Sequence, residues 1–154
     1  MVVELAQRRL RSMRAAALAG VLLLSACADG GGADYAAAIE RWEGSGLQDY
    51  RFTWERTAMI GRTRAVVEVR DGKAVNTRML HDDLEMARAT VPTTVEDVFR
   101  DVRLAQREAD KVEATYNGDL GYPREVRVDA ISRAIDDEYE FRILSLVALS
   151  ESSG

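Results

Sequence analysis

The sequence predicts an α+β domain of two layers, an antiparallel sheet packed on two helices in the order α-β-β-β-α-β-β-β. Three observations carry that prediction. Apolar residues recur at every second position in six separate stretches, the period of a half-buried strand. Two other stretches repeat at three and four, the period of a helix with one buried face. Between two alternating stretches stands Asp71-Gly72, a dipeptide that favours a two-residue hairpin turn because both positions accept positive φ. Strand runs joined by short turns make antiparallel pairing the default and leave the helices to cover one face.

In chain order, the first helix is read from Asp34, with Tyr35, Ala38, Ile39 and Trp42 on one face and Gly44-Ser45-Gly46 ending it. Tyr50, Phe52 and Trp54 then alternate with Arg51, Thr53 and Glu55, a strand with an aromatic inner side. Ala65, Val67 and Val69 form the next strand, and Lys73 to Leu80 returns after the Asp71-Gly72 turn. His81 to Val91 is polar and reads as irregular. Thr93 and Glu96 have the spacing of a capping box, followed by the apolar stripe Val95, Val98, Phe99, Val102 and Ala105. Glu96, Asp97, Arg100, Arg103 and Arg107 are read as the water-facing side of that helix.

Lys111 to Tyr116 alternates, the loop Asn117 to Pro123 is rich in turn residues, and Arg124 to Ala130 alternates again. In the last strand Tyr139, Phe141 and Ile143 line one side and Leu144, Leu146 and Ala148 the other, the pattern of a central strand covered on both faces. The two halves read as a loose repeat of helix plus meander with no residue-level period.

The N-terminal segment points to a compartment. Arg8, Arg9, Arg11 and Arg14 precede the apolar run Ala15 to Ala26, which closes on Leu24-Ser25-Ala26-Cys27. A basic stretch, a short apolar run and small residues before a cysteine are the layout of a lipoprotein export signal. The run is shorter than the roughly 20 apolar residues a membrane span requires. Residues 1–26 are therefore read as a signal peptide, Cys27 as the lipidated first residue and 27–33 as a flexible tether. Residues 34–149 form a single domain and 150–154 a frayed tail. The expected location is the cell membrane or outer membrane, with the domain on the extracytoplasmic side and the membrane held through the lipid on Cys27.

Removing residues 1–26 leaves 128 residues with 17 cations and 25 anions, a net charge of −8. That balance argues against nucleic acid as a partner, which needs a basic face. Cys27 is the single cysteine of the 154 residues, so no disulfide is expected and the fold must rest on its core.

A further reading comes from an ordered series of segments. Its first half is Trp42, Leu47-Gln48-Asp49-Tyr50-Arg51-Phe52 and Val67-Glu68-Val69-Arg70-Asp71-Gly72-Lys73-Ala74-Val75. Its second half is Thr94-Val95-Glu96-Asp97-Val98-Phe99, Val112 to Tyr116, Gly121-Tyr122-Pro123, Val128-Asp129 and Asp136-Asp137-Glu138. Together these resemble an uncharacterised family of secreted and lipid-anchored bacterial proteins, a domain of unknown function, over residues 40–147. Many members carry a pair of cysteines just after the first strand. This chain has Thr57-Ala58-Met59 there, so any metal or redox work of that pair is missing. The resemblance implies compartment and approximate fold, and no activity.

No catalytic constellation is readable, and no enzyme and no cofactor are expected. His81 is the single histidine, where zinc wants three or four ligands. Asp82, Asp83 and Glu85, with Asp136, Asp137 and Glu138, are the candidates for a cation should their loops meet. Neither cluster has the spacing of a calcium loop. Arg51, Arg62, Arg64 and Arg70 near the hairpin could receive an anion, and the aromatic strand could line a groove for an apolar ligand. The expected function is a non-catalytic envelope binding or interaction module whose partner is either an envelope protein or a small ligand; the alternative is a module that senses a small ligand or metal ion.

Overall fold

The computed structural model describes residues 30–59, 61–82, 91–131 and 137–150. Helix α1 (Gly30–Ser45) is followed by strands β1 (Tyr50–Ala58), β2 (Gly61–Arg70) and β3 (Lys73–Asp82). Helix α2 (Val95–Glu108) leads to β4 (Lys111–Tyr116), β5 (Pro123–Asp129) and β6 (Glu138–Ala148). The chain is thus α+β, with the six strands in one antiparallel sheet of order β3-β2-β1-β6-β5-β4. Each meander appears in the same left-to-right sense, and the first and last strands join the halves at the centre.

Alternation decides what is buried. Tyr50, Phe52 and Trp54 of β1 are fully enclosed, beside Ala65, Val67 and Val69 of β2 and Val126, Val128, Phe141 and Ile143 from β5 and β6. Ala38 and Trp42 of α1 and the whole stripe Val95, Val98, Phe99, Val102 and Ala105 of α2 complete one core. Aromatic edges lock the helices to it: Trp42 meets Tyr50 and Tyr35 meets Phe99, each nearly perpendicular. The Asp71-Gly72 turn has positive φ at both positions, 49° and 69°. Asp71 N–H donates to Asp49 Oδ1 at 2.8 Å, so the predicted hairpin is tied to the segment before β1.

Several boundaries differ from the sequence reading. α1 begins at Gly30, so Asp34 lies within it, and Gly30 to Ala33, read as tether, belong to it. The apolar period marks which face of a helix is buried and does not fix where the helix begins. β3 continues through Asp82, which places His81 on a strand. β5 starts at Pro123, paired with Tyr116; the first position of a strand tolerates a missing N–H.

β6 is central, yet it is not covered on both sides: Leu144 is 45% and Val147 60% exposed. Leu144 is the extra residue of a bulge, since Trp54 faces Ile143 and Thr53 faces Ser145. The cap of α2 also sits one residue later than read. Thr94 is the N-cap, accepting from Asp97 N–H, and Asp97 is its partner in the capping box.

Candidate functional site

The displaced cap frees Glu96 for another task. Trp42 Nε1–H donates to Glu96 Oε1 at 2.7 Å, and the Tyr50 hydroxyl donates to Glu96 Oε2 at 3.3 Å. The same hydroxyl accepts Val95 N–H at 3.0 Å, one of the unpaired donors of the first helical turn. Burial, opposed by that N–H and reinforced by Glu96, drives the Tyr50 pKa well above its ordinary range. Glu96 is exposed, as read, and its carboxylate is also the knot that ties α1, β1 and α2.

Gly121 closes the same end. Its φ is +83°, and an added methyl group would press into the Ala38 carbonyl oxygen and stand 2.9 Å from Arg41 Cβ. Gly121-Tyr122-Pro123 is therefore a seat for α1 rather than an exposed loop tip. Tyr116 stacks on Phe99 with rings 10° apart, and burial pushes its hydroxyl up to about 12.

The opposite end of the core is open. Between α2 and strands β5, β6 and β1 lies a groove of about 550 Å³, within the range typical of ligand sites. Val98, Val102 and Ala105 wall it from the helix, and Val126, Val128 and Phe141 from the sheet. Leu104, 49% exposed, and Ile131, 57% exposed, also line it. Its charged groups are Arg56, Asp101 and Glu108, with Tyr139 the remaining titratable side chain.

Arg56 was not singled out in the sequence. It continues the series Tyr50, Phe52, Trp54 by two more positions, which puts it on the inward side of β1, between Phe141 and Thr63. A cation at the end of an apolar alternation was the available signal. Its guanidinium lies 4.0 Å from the centre of the Tyr139 ring. Among the described residues no carboxylate stands within 4.0 Å of it. Asp101 is exposed as a residue, yet partial burial holds its carboxyl above the ordinary range, with Arg100 and Arg56 pulling the other way. Burial likewise raises the Tyr139 hydroxyl, and Arg56 lowers it.

The four arginines read as an anion site have a different fate. Arg51 pairs with Glu68 at 2.9 Å and Arg62 with Glu55 at 3.6 Å. Arg64 pairs with Glu55, and Arg70 reaches both Glu68 and Asp49 at 3.3 and 3.4 Å. Each therefore faces a carboxylate rather than an empty anion site. Arg127 with Glu125 and Glu140, and Arg142 with Glu140, extend the same lattice across β5 and β6.

The acidic candidates that are described stand apart from one another. Asp82 ends β3 and Glu138 begins β6, at one end of the sheet but three strand positions apart, roughly 14 Å at the usual spacing. Asp137 precedes Glu138, which sits opposite Asp129. Asp83, Glu85 and Asp136 lie outside the described residues, as does Cys27. Among the described residues no three His, Cys, Asp or Glu side chains group as metal ligands. No helix among them is long and apolar enough to cross a membrane.

With this geometry in place, comparison with family models is decisive over residues 34–148, from α1 to the last residue of β6. The chain belongs to DUF6174, a family of unknown function. No match to a curated protein was found. The DUF6174 domain contains both the closed end and the groove, so each is built wholly from the region that the family model matches.

Proposed function

We propose that this DUF6174 protein is a non-catalytic binding module of the bacterial cell envelope. In this reading residues 1–26 export it, an acylated Cys27 holds it at a membrane, and the groove beneath α2 is its binding site. The domain is then a two-layer body, with α1 and α2 over one sheet face and the ion-pair lattice turned to water. A diacylated cysteine supplies the two anchors that stable attachment needs, since one chain alone holds only marginally.

The observation that carries the reading is the pair Leu104 and Ile131 beside a groove already walled by valines. Apolar surface left in water costs about 25 cal/mol per Å², and a ligand that covers it recovers that energy. The described groove residues supply one guanidinium, two carboxylates and a phenol among mostly apolar walls, the composition of a site that binds an apolar body and orients it through a few polar groups.

Two measurements test it. Labelled palmitate should enter the wild-type chain and not Cys27→Ser, and the wild type should fractionate with membranes; a label-free wild type overturns the anchor. A photo-crosslinking side chain at position 104 should give a discrete adduct in native cells, reduced by Ala105→Trp. No adduct, or one indifferent to that block, overturns the groove as the binding site.

A further inference from the structure

Arg56 sharpens that reading by naming the ligand class, and the inference rests on the groove being the binding site. Every arginine on the outward side of β1 and β2 has found a carboxylate, in a chain that carries 26 of them. Arg56, on the inward side, has none within 4.0 Å among the described residues. Its partner among the described residues is the face of Tyr139, a contact worth about 0.5–2 kcal/mol, and Arg56 is half-buried there, with only part of its surface in water. A guanidinium kept in that state beside apolar walls is a receptor for an anion that arrives with an apolar body. The walls define that body: Val102, Ala105, Val126 and Val128 offer no polar side chain to a ligand.

We propose that the groove binds a single-chain anionic amphiphile of the fatty-acid type, its carboxylate on Arg56 and its acyl chain along the valine walls. A planar guanidinium receives a carboxylate through two parallel hydrogen bonds, and the groove volume suits one chain. Asp101 tunes the site from across it, since its charge and that of Arg56 are coupled and an ionised Asp101 repels the incoming head group.

The test uses the full chain with Cys27→Ser, so that no acyl group of its own competes, titrated with dodecanoate and with dodecanol. Trp54 stacks on Phe141, a wall residue, so tryptophan emission reports occupancy. Both probes should bind one to one. Arg56→Gln should weaken dodecanoate about tenfold or more, the usual weight of a hydrogen bond to a charged group, and leave dodecanol within about twofold. Arg56→Lys should recover part of the loss, and Asp101→Asn should tighten dodecanoate alone. Unchanged thermal midpoints certify that the variants are folded.

Equal dodecanoate binding by wild type and Arg56→Gln overturns the head-group assignment while the groove stands. Failure of both probes to saturate the folded chain overturns the groove itself, and with it the proposed function. Self-association that Leu104→Glu abolishes, in a chain that refuses both probes, assigns the groove to a second copy and overturns the ligand.

Discussion

Strand β1 ends differently on its inward side. At Tyr50 the polar atoms of three elements answer one another: the Trp42 indole, the Tyr50 hydroxyl, the Glu96 carboxylate and the Val95 amide. At Arg56, six residues on, a guanidinium stands over an aromatic face beside open volume. Both ends lie under the same helix, and the difference shows in two of its carboxylates one turn apart. Burial pulls Asp97 up, but hydrogen bonds from Thr93 and the charge of Arg100 more than offset it, so its pKa is lowered. Asp101 has no such donors among the described residues, and burial raises it. Polar groups that satisfy one another hold a fold, whereas polar groups left waiting beside a cavity are available to something else.

The contrast breaks most decisively at Gly121. Gly121→Ala adds a methyl group against the Ala38 carbonyl at a positive φ, and overpacking of this kind should cost about 3 kcal/mol in denaturant unfolding. Tyr50→Phe removes the hydroxyl that serves both Glu96 and Val95 N–H. Leaving a buried amide unpaired should cost about 1–3 kcal/mol, with dodecanoate binding unaffected in the folded fraction. Thr94→Ala deletes the N-cap acceptor and should cost about 1 kcal/mol by thermal melt.

The two carboxylates predict opposite responses to acid. The lowered Asp97 contributes fully at neutral pH, and that stability fades as pH falls from about 4 through its folded value. The raised Asp101 penalises the fold while ionised, so stability rises as pH falls through its raised value. Asp101→Asn should remove the rise and Asp97→Asn the later loss, both visible in midpoint against pH. The smallest effect belongs to the outer lattice, where Arg64→Gln should shift stability by no more than about 0.5 kcal/mol.

How much of this was legible depended on how local the determinant was. The Asp71-Gly72 turn and the stripe from Val95 to Ala105 are written in neighbouring residues and appear as read. The cap was ambiguous because Thr93 with Glu96 and Thr94 with Asp97 share one spacing. The decision came from Trp42 and Tyr50, distant in sequence, which claim Glu96. Leu144 looked like cover for a second face because a bulge cannot be seen in an alternation. The two hairpin meanders could be inferred, but the β1–β6 pairing that joins them is non-local, and no short motif encodes it. Arg56 was legible in principle: reading the alternation of β1 one step beyond Trp54 would have exposed it.

That central pairing has a consequence for how the molecule comes into being. Tyr50 faces Ala148, so partners about a hundred residues apart must meet before the middle of the sheet exists, a slow closure for a chain of this size. Of the six strands β6 is made last, and until it emerges the edge of β1 away from β2 has no strand to pair with. The sheet therefore stays in two halves until that strand is made, a state that invites chaperones to hold the growing polypeptide.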